Sequence, residues 1–348
     1  MVASSASRVP VPVDPTPADF QPTLERAVAR HDDLDAFVGR TARQGLRNVF
    51  FVGCGGSLLA MESTRFLLER RSSAAAASVL NASEFCARRP ALLGPGSLVV
   101  VASHSGTTPE TLDAARLARA AGASVLSVSR DARSPLGRAA EVAIAYASDV
   151  AVGEAKQLLF EQIGWSVLRH TGVQADYDAI RDAFGALPAA LVTARAETDV
   201  RAHEIATRLQ DEPITYVLAS GPNMGAAAAF AMCFLQEMQW LHAAAVNAGE
   251  FFHGAFEVVT EDVAVILLLG EDESRPMAER AQRFLDKYTR KGVSIDTRDL
   301  SLPGIAPALR PEFAAYGLAT VVRRLANHYA AVRGHSLKLR RYMWTVDY

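Results

Sequence analysis

Three cysteines in 348 residues (Cys54, Cys86 and Cys233) are too few for a disulfide framework and suit a reducing cytoplasm. None stands at zinc-ligand spacing from the eight scattered histidines, so no metal is expected. No apolar run reaches the roughly 18 residues that a membrane-spanning helix needs. An excess of either charge is missing as well. The 36 basic and 38 acidic side chains leave a net charge of −2, too little to drive general nucleic-acid binding. Residues 1–20 lack the apolar core of a signal peptide and predict a flexible arm. What is abundant is apolar: half the residues are hydrophobic and 21% are charged, enough for a large core. At roughly 100–200 residues per domain, the length predicts two domains.

Beyond the arm, Gln21 to Gln44 has helical character. Short apolar runs then alternate with helical stretches. Strand signals lie at Asn48 to Gly56, Ala77 to Phe85, Ser97 to Gly106, Ala123 to Ser129 and Glu141 to Ala147. Helical period marks Ser57 to Arg71, Pro109 to Gly122 and Glu154 to His170. Buried strands alternating with helices predict an α/β fold with a parallel sheet covered on both faces. The pattern restarts with a strand and turn at Pro213 to Asn223 and a long helix from Met224 to Leu241. Further strand signals follow at Ala243 to Gly254, Asp262 to Asp272 and Gly292 to Leu300.

The halves look like a diverged repeat. A shift of 166 residues carries Gly55 onto Gly221, Asn81 to Phe85 onto Asn247 to Phe251, and Val99 to Ala102 onto Val265 to Leu268. Two tandem doubly wound domains are expected, 21–192 and 193–348.

Two segments of the first half carry chemistry. Phe51-Val52-Gly53-Cys54-Gly55-Gly56-Ser57 is a strand, a glycine turn and a helix start, where backbone can approach an anion closely. It lacks dinucleotide-motif spacing and the P-loop lysine. Sharper is Ser103-His104-Ser105-Gly106-Thr107-Thr108-Pro109, with four hydroxyls in six residues at the carboxyl end of a strand. Such donors suit a phosphate monoester. Helix capping by Thr108 would explain one hydroxyl, not four.

On these motifs the chain resembles the sugar isomerase (SIS) domain family, in its tandem, flavodoxin-like form. The resemblance extends to fructosamine-6-phosphate deglycases and to the isomerase half of glucosamine-6-phosphate synthase. It implies phosphosugar binding through Ser57, Ser103, Ser105 and Thr108, with Gly55, Gly56, His104 and Thr107 alongside.

Positions Phe230, Cys233, Glu237 and Trp240 share a helical stripe, so Glu237 is the charged member of an apolar face. Desolvation there would raise its pKa and suit it to proton transfer, although the pattern alone equally allows a structural carboxylate. Sixteen residues on lies Gly249-Glu250-Phe251-Phe252-His253-Gly254. By itself a histidine beside glycines is more often a loop residue than a catalyst. The resemblance gives both a role, because in this branch a helix-borne Glu precedes the His of such a segment by sixteen residues. It implies that Glu237 shuttles a proton, that His253 assists ring opening and that Glu250 supports the site. Lys156 is a candidate ligand contact or a surface lysine; Glu154 stands where the synthase branch has Ser. Arg340-Arg341-Tyr342-Met343 resembles the deglycases but has no role from sequence.

The resemblance implies a cytoplasmic enzyme without metal or cofactor, working as a homodimer or larger homo-oligomer with sites near the interface, with neither nucleic acid nor membrane as partner. The first reading is a deglycase that cleaves a 6-phosphofructosamine to glucose 6-phosphate and a free amine. The second is an aldose–ketose or aminating isomerase, and the third a phosphosugar-sensing protein. A full glucosamine synthase is disfavoured by the short stretch before the repeat. The Glu–His pair and the lack of room for a DNA-binding module disfavour the sensor. At the 166-residue shift, Ser103 to Thr107 meets Leu269 to Glu273, so the second loop is expected to be a solvated acidic loop without an anion site.

Overall fold

Six consecutive buried residues, Asn48–Gly53, form β1, an interior strand of the first sheet in a computed structural model describing residues 12–347. The other strands are β2 (Ala76–Asn81), β3 (Ser97–Ala102), β4 (Ser124–Ser129) and β5 (Val142–Ala145). All pairs are parallel, in the order β2-β1-β3-β4-β5. β1 and β3 are fully buried because helices cover both faces, which explains their unbroken apolar sequence. Phe50, Val52, Val99, Val101 and Val125 pack on one face with Phe85 and the alanines Ala114 and Ala115.

The second sheet comprises β6 (Thr215–Ala219), β7 (Ala243–Asn247), β8 (Ala264–Leu269) and β9 (Gly292–Asp296), in the order β7-β6-β8-β9. It repeats the first without a fifth strand. The 166-residue shift reproduces the register: Phe50 opposite Val99 becomes Tyr216 opposite Val265, and Gly53 opposite Asn81 becomes Ala219 opposite Asn247. Gly55 and Gly221 have φ of 54° and 55°, left-handed values that favour glycine.

The chain divides into two compact units. One holds Ala18–Ala190 and Pro303–Glu312; the other holds Leu191–Leu302, the chain from Phe313 onward and the described residues before Ala18. The single boundary at 192/193 expected from sequence therefore misses a return of the chain. In the first unit Arg70 and Arg71 both pair with Glu312. Part of the expected arm lies outside the described residues. Its remainder is held in the second unit, where Arg324 donates to the Asp14 carbonyl (2.6 Å) and Arg195 to Thr16 Oγ1 (3.2 Å).

Three local expectations change. Gln21 to Gln44 forms two helices, Phe20–Val28 and His31–Arg43. The apolar run from Ala77 is a strand only to Asn81, whose Oδ1 accepts from the Ser83 and Glu84 amides and starts the helix Ala82–Arg88. Met224 to Leu241 is α-helical to Ala229 and π-helical over Phe230–Met238. The wider winding alters which side chains share a face. Phe230, Cys233 and Phe234 are buried, whereas Trp240 leaves the helix at φ 57° and is 39% exposed. Trp240 is thus not on the buried stripe.

Candidate functional site

In an open parallel sheet, ligands bind beyond the carboxyl ends of the strands where the strand order reverses. In the first unit that point lies between β1 and β3. Gly53 pairs with Ala102 there, so the glycine turn and the serine loop leave the sheet side by side. A Cβ on Gly53 would sit 3.1 Å from the Ala102 carbonyl oxygen, too close for a larger residue without movement. A Cβ on Gly55, by contrast, would meet no atom within 4 Å. Gly56 is exposed at the start of the short helix Gly55–Leu59.

The four hydroxyls converge. Ser103 Oγ lies 2.8 Å from Thr108 Oγ1 and 3.4 Å from Ser105 Oγ, and accepts from the Gly106 amide at 3.1 Å. Thr107 donates to Ser105 through both its amide (3.2 Å) and its hydroxyl (2.8 Å). Thr108 occupies the N-cap position of helix Pro109–Ala120, yet its hydroxyl makes no capping bond. It is committed to the loop rather than the helix. Gly106 takes φ 67°, and a Cβ there would clash with the Ser134 side chain. The backbone turn that gathers the hydroxyls needs glycine.

Lys156 is no surface lysine. It is 4% exposed on the helix Val152–His170, and Nζ donates to Ser57 Oγ at 2.8 Å. This joins a cation to the glycine turn. His104 is differently engaged. Nδ1 lies 2.6 Å from the Tyr146 hydroxyl and Nε2 3.1 Å from Asp149 Oδ1, itself paired with Arg130. Burial and the Lys156 charge push the His104 pKa down, opposed by Asp149. Its ring nitrogens are thus spent on Tyr146 and Asp149, not offered to the hydroxyl loop; sequence reasoning missed Tyr146 altogether.

In the second unit Glu237 is carried by the π-helical segment, a winding that recurs at functional sites. Burial raises its pKa; Arg340, 2.7 Å away through Nη2, opposes the rise. Glu250 and His253 stand exposed on a single 3₁₀ turn, Glu250–His253, which ends at Gly254. Phe251 of that turn is buried with Phe252, Phe256 and Phe284 around it. The aromatic packing anchors the turn that presents the histidine.

The second loop is not the solvated acidic loop expected. Asp272 is buried, accepting from the Ser274 amide (2.9 Å), the Ser274 hydroxyl (2.5 Å) and Asn223 Nδ2 (3.1 Å). Ser220 Oγ lies 2.9 Å from the Ser274 hydroxyl. A carboxylate of the chain itself takes the donors of this loop. Among the described residues no cluster of three His, Cys, Asp or Glu could hold a metal, and no helix is long and apolar enough to cross a membrane.

A hydroxyl-lined loop at the switch point of a doubly wound sheet defines a phosphosugar-binding class of α/β protein. Comparison with known proteins agrees. Residues 45–159 match the SIS domain model. The fructosamine deglycase FrlB of Bacillus subtilis is 35% identical over 93% of this chain and all of its own length. The fructoselysine 6-phosphate deglycase of Escherichia coli K12 is 29% identical over 80% of this chain and 81% of its own. A Bacillus subtilis crystal structure described as a phosphosugar isomerase superposes with a TM-score of 0.87 at 34% identity, covering 92% of this chain and 99% of that one. The C-terminal domain of glucosamine-fructose-6-phosphate aminotransferase from Francisella tularensis shares the fold, with a TM-score of 0.78 at 17% identity over 92% and 95%. The chain belongs to the SIS-domain family, in its fructosamine deglycase branch.

Proposed function

We propose that this protein hydrolyses a 6-phosphofructosamine, the Amadori conjugate of a sugar phosphate with an amine, to glucose 6-phosphate and the free amine. The observation that carries the reading is the convergence of Ser103, Ser105, Thr107 and Thr108 beside the Lys156–Ser57 pair. Hydroxyl and amide donors with one buried cation suit a phosphate dianion. The full-length similarity to the deglycases supports the amine-bearing substrate.

The hydroxyl loop anchors the phosphate. His253 moves the proton that opens the furanose ring and frees the C2 ketone. Glu237 takes a proton from C1, whose electrons pass toward the ketone oxygen, and that oxygen takes up a proton to give an enaminol. The same carboxyl returns its proton to C2, and the nitrogen gives up one in turn, leaving an imine at C1. Water adds to that carbon, and the C1–N bond breaks to release the amine. The net reaction consumes one water and needs no oxidant or reductant, because ketone and nitrogen together acidify C1. Burial of Glu237 raises its pKa toward the range where it both accepts and returns a proton.

The reading assigns one phosphosugar per chain to a cytoplasmic homodimer or larger homo-oligomer. The exposure of His253 is consistent with its serving a neighbouring subunit. Mixing inactive Glu237 and His253 variants tests this: regained activity supports sharing, and none in an exchanging mixture opposes it. The reaction itself is tested with a panel of 6-phosphorylated fructosamines, following glucose 6-phosphate release. Turnover of one or more supports it. Interconversion of glucose 6-phosphate and fructose 6-phosphate with no release from any conjugate would favour an isomerase instead.

A further inference from the structure

After the helix Arg310–Arg333 the chain turns at Gly334, with φ 58°, and runs back along the segment that carries Glu237. Side chains fasten it there. Arg333 donates to the Gln239 carbonyl at 2.9 Å, and Gln239 Nε2 donates to the His335 carbonyl at 2.7 Å. The Trp240 and His335 rings meet edge to face at 4.5 Å, and the Arg341 guanidinium lies 4.5 Å from the Trp240 ring centre. The left-handed backbone of Trp240 thus places its ring where the returning chain grips it.

The grip delivers Arg340. Its Nη1 donates to the carbonyls of Leu337 and Leu339, both at 2.8 Å, and the guanidinium lies 5.3 Å from the Trp344 ring centre. With these contacts fixing the plane, Nη2 meets Glu237 Oε1 at 2.7 Å. The pair is largely withdrawn from water, with side-chain exposures of 10% and 24%. Arg340 is the charged group acting on Glu237 among the described residues; Arg333, His335 and Arg341 are engaged at Gln239 and Trp240.

We infer that Arg340 is a positioning residue for the proton transfer: the C-terminal segment holds the Glu237 carboxylate in place and keeps it ionised until it takes the substrate proton. The inference rests on Glu237 being the proton carrier. A half-buried carboxylate without a counter-charge would hold its proton to higher pH, leaving less of it ionised to act as a base at a given pH. An arginine fixed by backbone carbonyls supplies the counter-charge without itself titrating.

The test uses the full-length protein with a 6-phosphofructosamine. On the acid side of the profile Arg340→Gln should lower kcat by about tenfold, the loss of ionised base that follows from moving its pKa by about one unit, with a smaller loss at higher pH. KM and the affinity for glucose 6-phosphate should stay within about threefold, because the phosphate loop lies in the other unit. The acid limb of the kcat profile should move upward by about one unit, and Arg340→Lys, which restores charge without the planar fork, should bring much of it back. An unmoved limb overturns the inference, whether kcat is full or reduced. So does a rise in KM alone, which would make Arg340 a substrate ligand. If Arg340→Gln does not fold, Arg340→Lys carries the test, and a wild-type limb with wild-type kcat and KM supports a charge role while a lowered kcat with an unmoved limb overturns it. Glu237→Gln separates the two levels: full turnover there defeats the proton-carrier reading, while its inactivity with an unmoved limb in Arg340→Gln defeats only this inference.

Discussion

The two halves of the chain have the same strand order, the same register and a left-handed glycine after the first strand, yet their loops do opposite things. In the first, the turn after β3 gathers hydroxyls, and a Cβ at Gly55 would meet no atom within 4 Å. In the second, the matching glycine, Gly221, would place a Cβ 2.3 Å from Ser274 Oγ and 2.7 Å from Asp272 Oδ1. Ser57, which takes the Lys156 bond, has Asn223 as its counterpart, bonded to Asp272. The loop that gathers hydroxyls in one repeat is closed on an internal carboxylate in the other. Strand order and register persist through that change, because the donors at the switch point need an acceptor but do not require that it come from solution.

The largest effect expected from breaking this asymmetry is on chemistry. Glu237→Gln should lower kcat by roughly 10²–10⁴-fold while leaving glucose 6-phosphate binding intact, since the amide keeps the shape but accepts no proton. Steady-state kinetics beside calorimetry measure both, and undiminished kcat would remove Glu237 from the mechanism. Next comes anchoring. Ser105→Ala combined with Thr108→Val should weaken glucose 6-phosphate binding by about 10–100-fold, the worth of one or two charge-assisted hydrogen bonds. Neutralising Glu271 in the other loop should barely change it. Calorimetry should count one ligand per chain; two equivalent sites would erase the asymmetry.

The glycines sharpen the comparison through stability. Gly55→Ala meets only the backbone cost of a left-handed alanine, about 1–2 kcal/mol, and should principally impair binding. Gly221→Ala adds a collision with Ser274 and the buried Asp272 network, so it should lower the melting temperature further while sparing anion affinity. Equal melting temperatures would contradict the filled-loop account.

The smallest effect concerns a buried carboxyl confined to the first unit. Glu161 is 5% exposed, and burial pushes its pKa up to about 8, with Glu312 adding to the rise and Ser63 and Thr64 opposing it. A folded-state pKa above the ordinary 4.5 means that folding favours the protonated form. Its contribution is intact below about 4.5 and is lost as pH rises toward 8. Glu161→Gln should therefore raise the melting temperature by a few degrees at pH 8 and leave it little changed at pH 4.5, as scanning calorimetry would read. Equal gains at both pH values would show that Glu161 does not titrate as described.

The strands, the repeat and the hydroxyl loop were legible in the sequence because each is a local signal: unbroken apolar runs, a constant shift, and hydroxyls packed into one loop. The helices Tyr177–Glu197, Asp199–Leu209, Arg275–Tyr288 and Arg310–Arg333 carry no motif and went unread, although Arg275–Tyr288 packs on β8 and β9. The α-to-π change after Ala229 was also invisible, since a helical stripe drawn at ordinary spacing puts Trp240 beside Glu237 on the buried face.

By itself the sequence determined the α/β class, the doubled architecture and which residue types could hold a phosphate or move a proton, because these follow from periodicity and composition within short windows. Only the tertiary structure decided where charge and hydrogen bonds fall. It buried Lys156 against Ser57, turned His104 to Tyr146 and Asp149, closed the second loop on Asp272 and set Arg340 beside Glu237. Each pairing joins residues from separate elements. Burial and distance fix the protonation and use of such groups, and neither quantity is a property of the chain until it has folded.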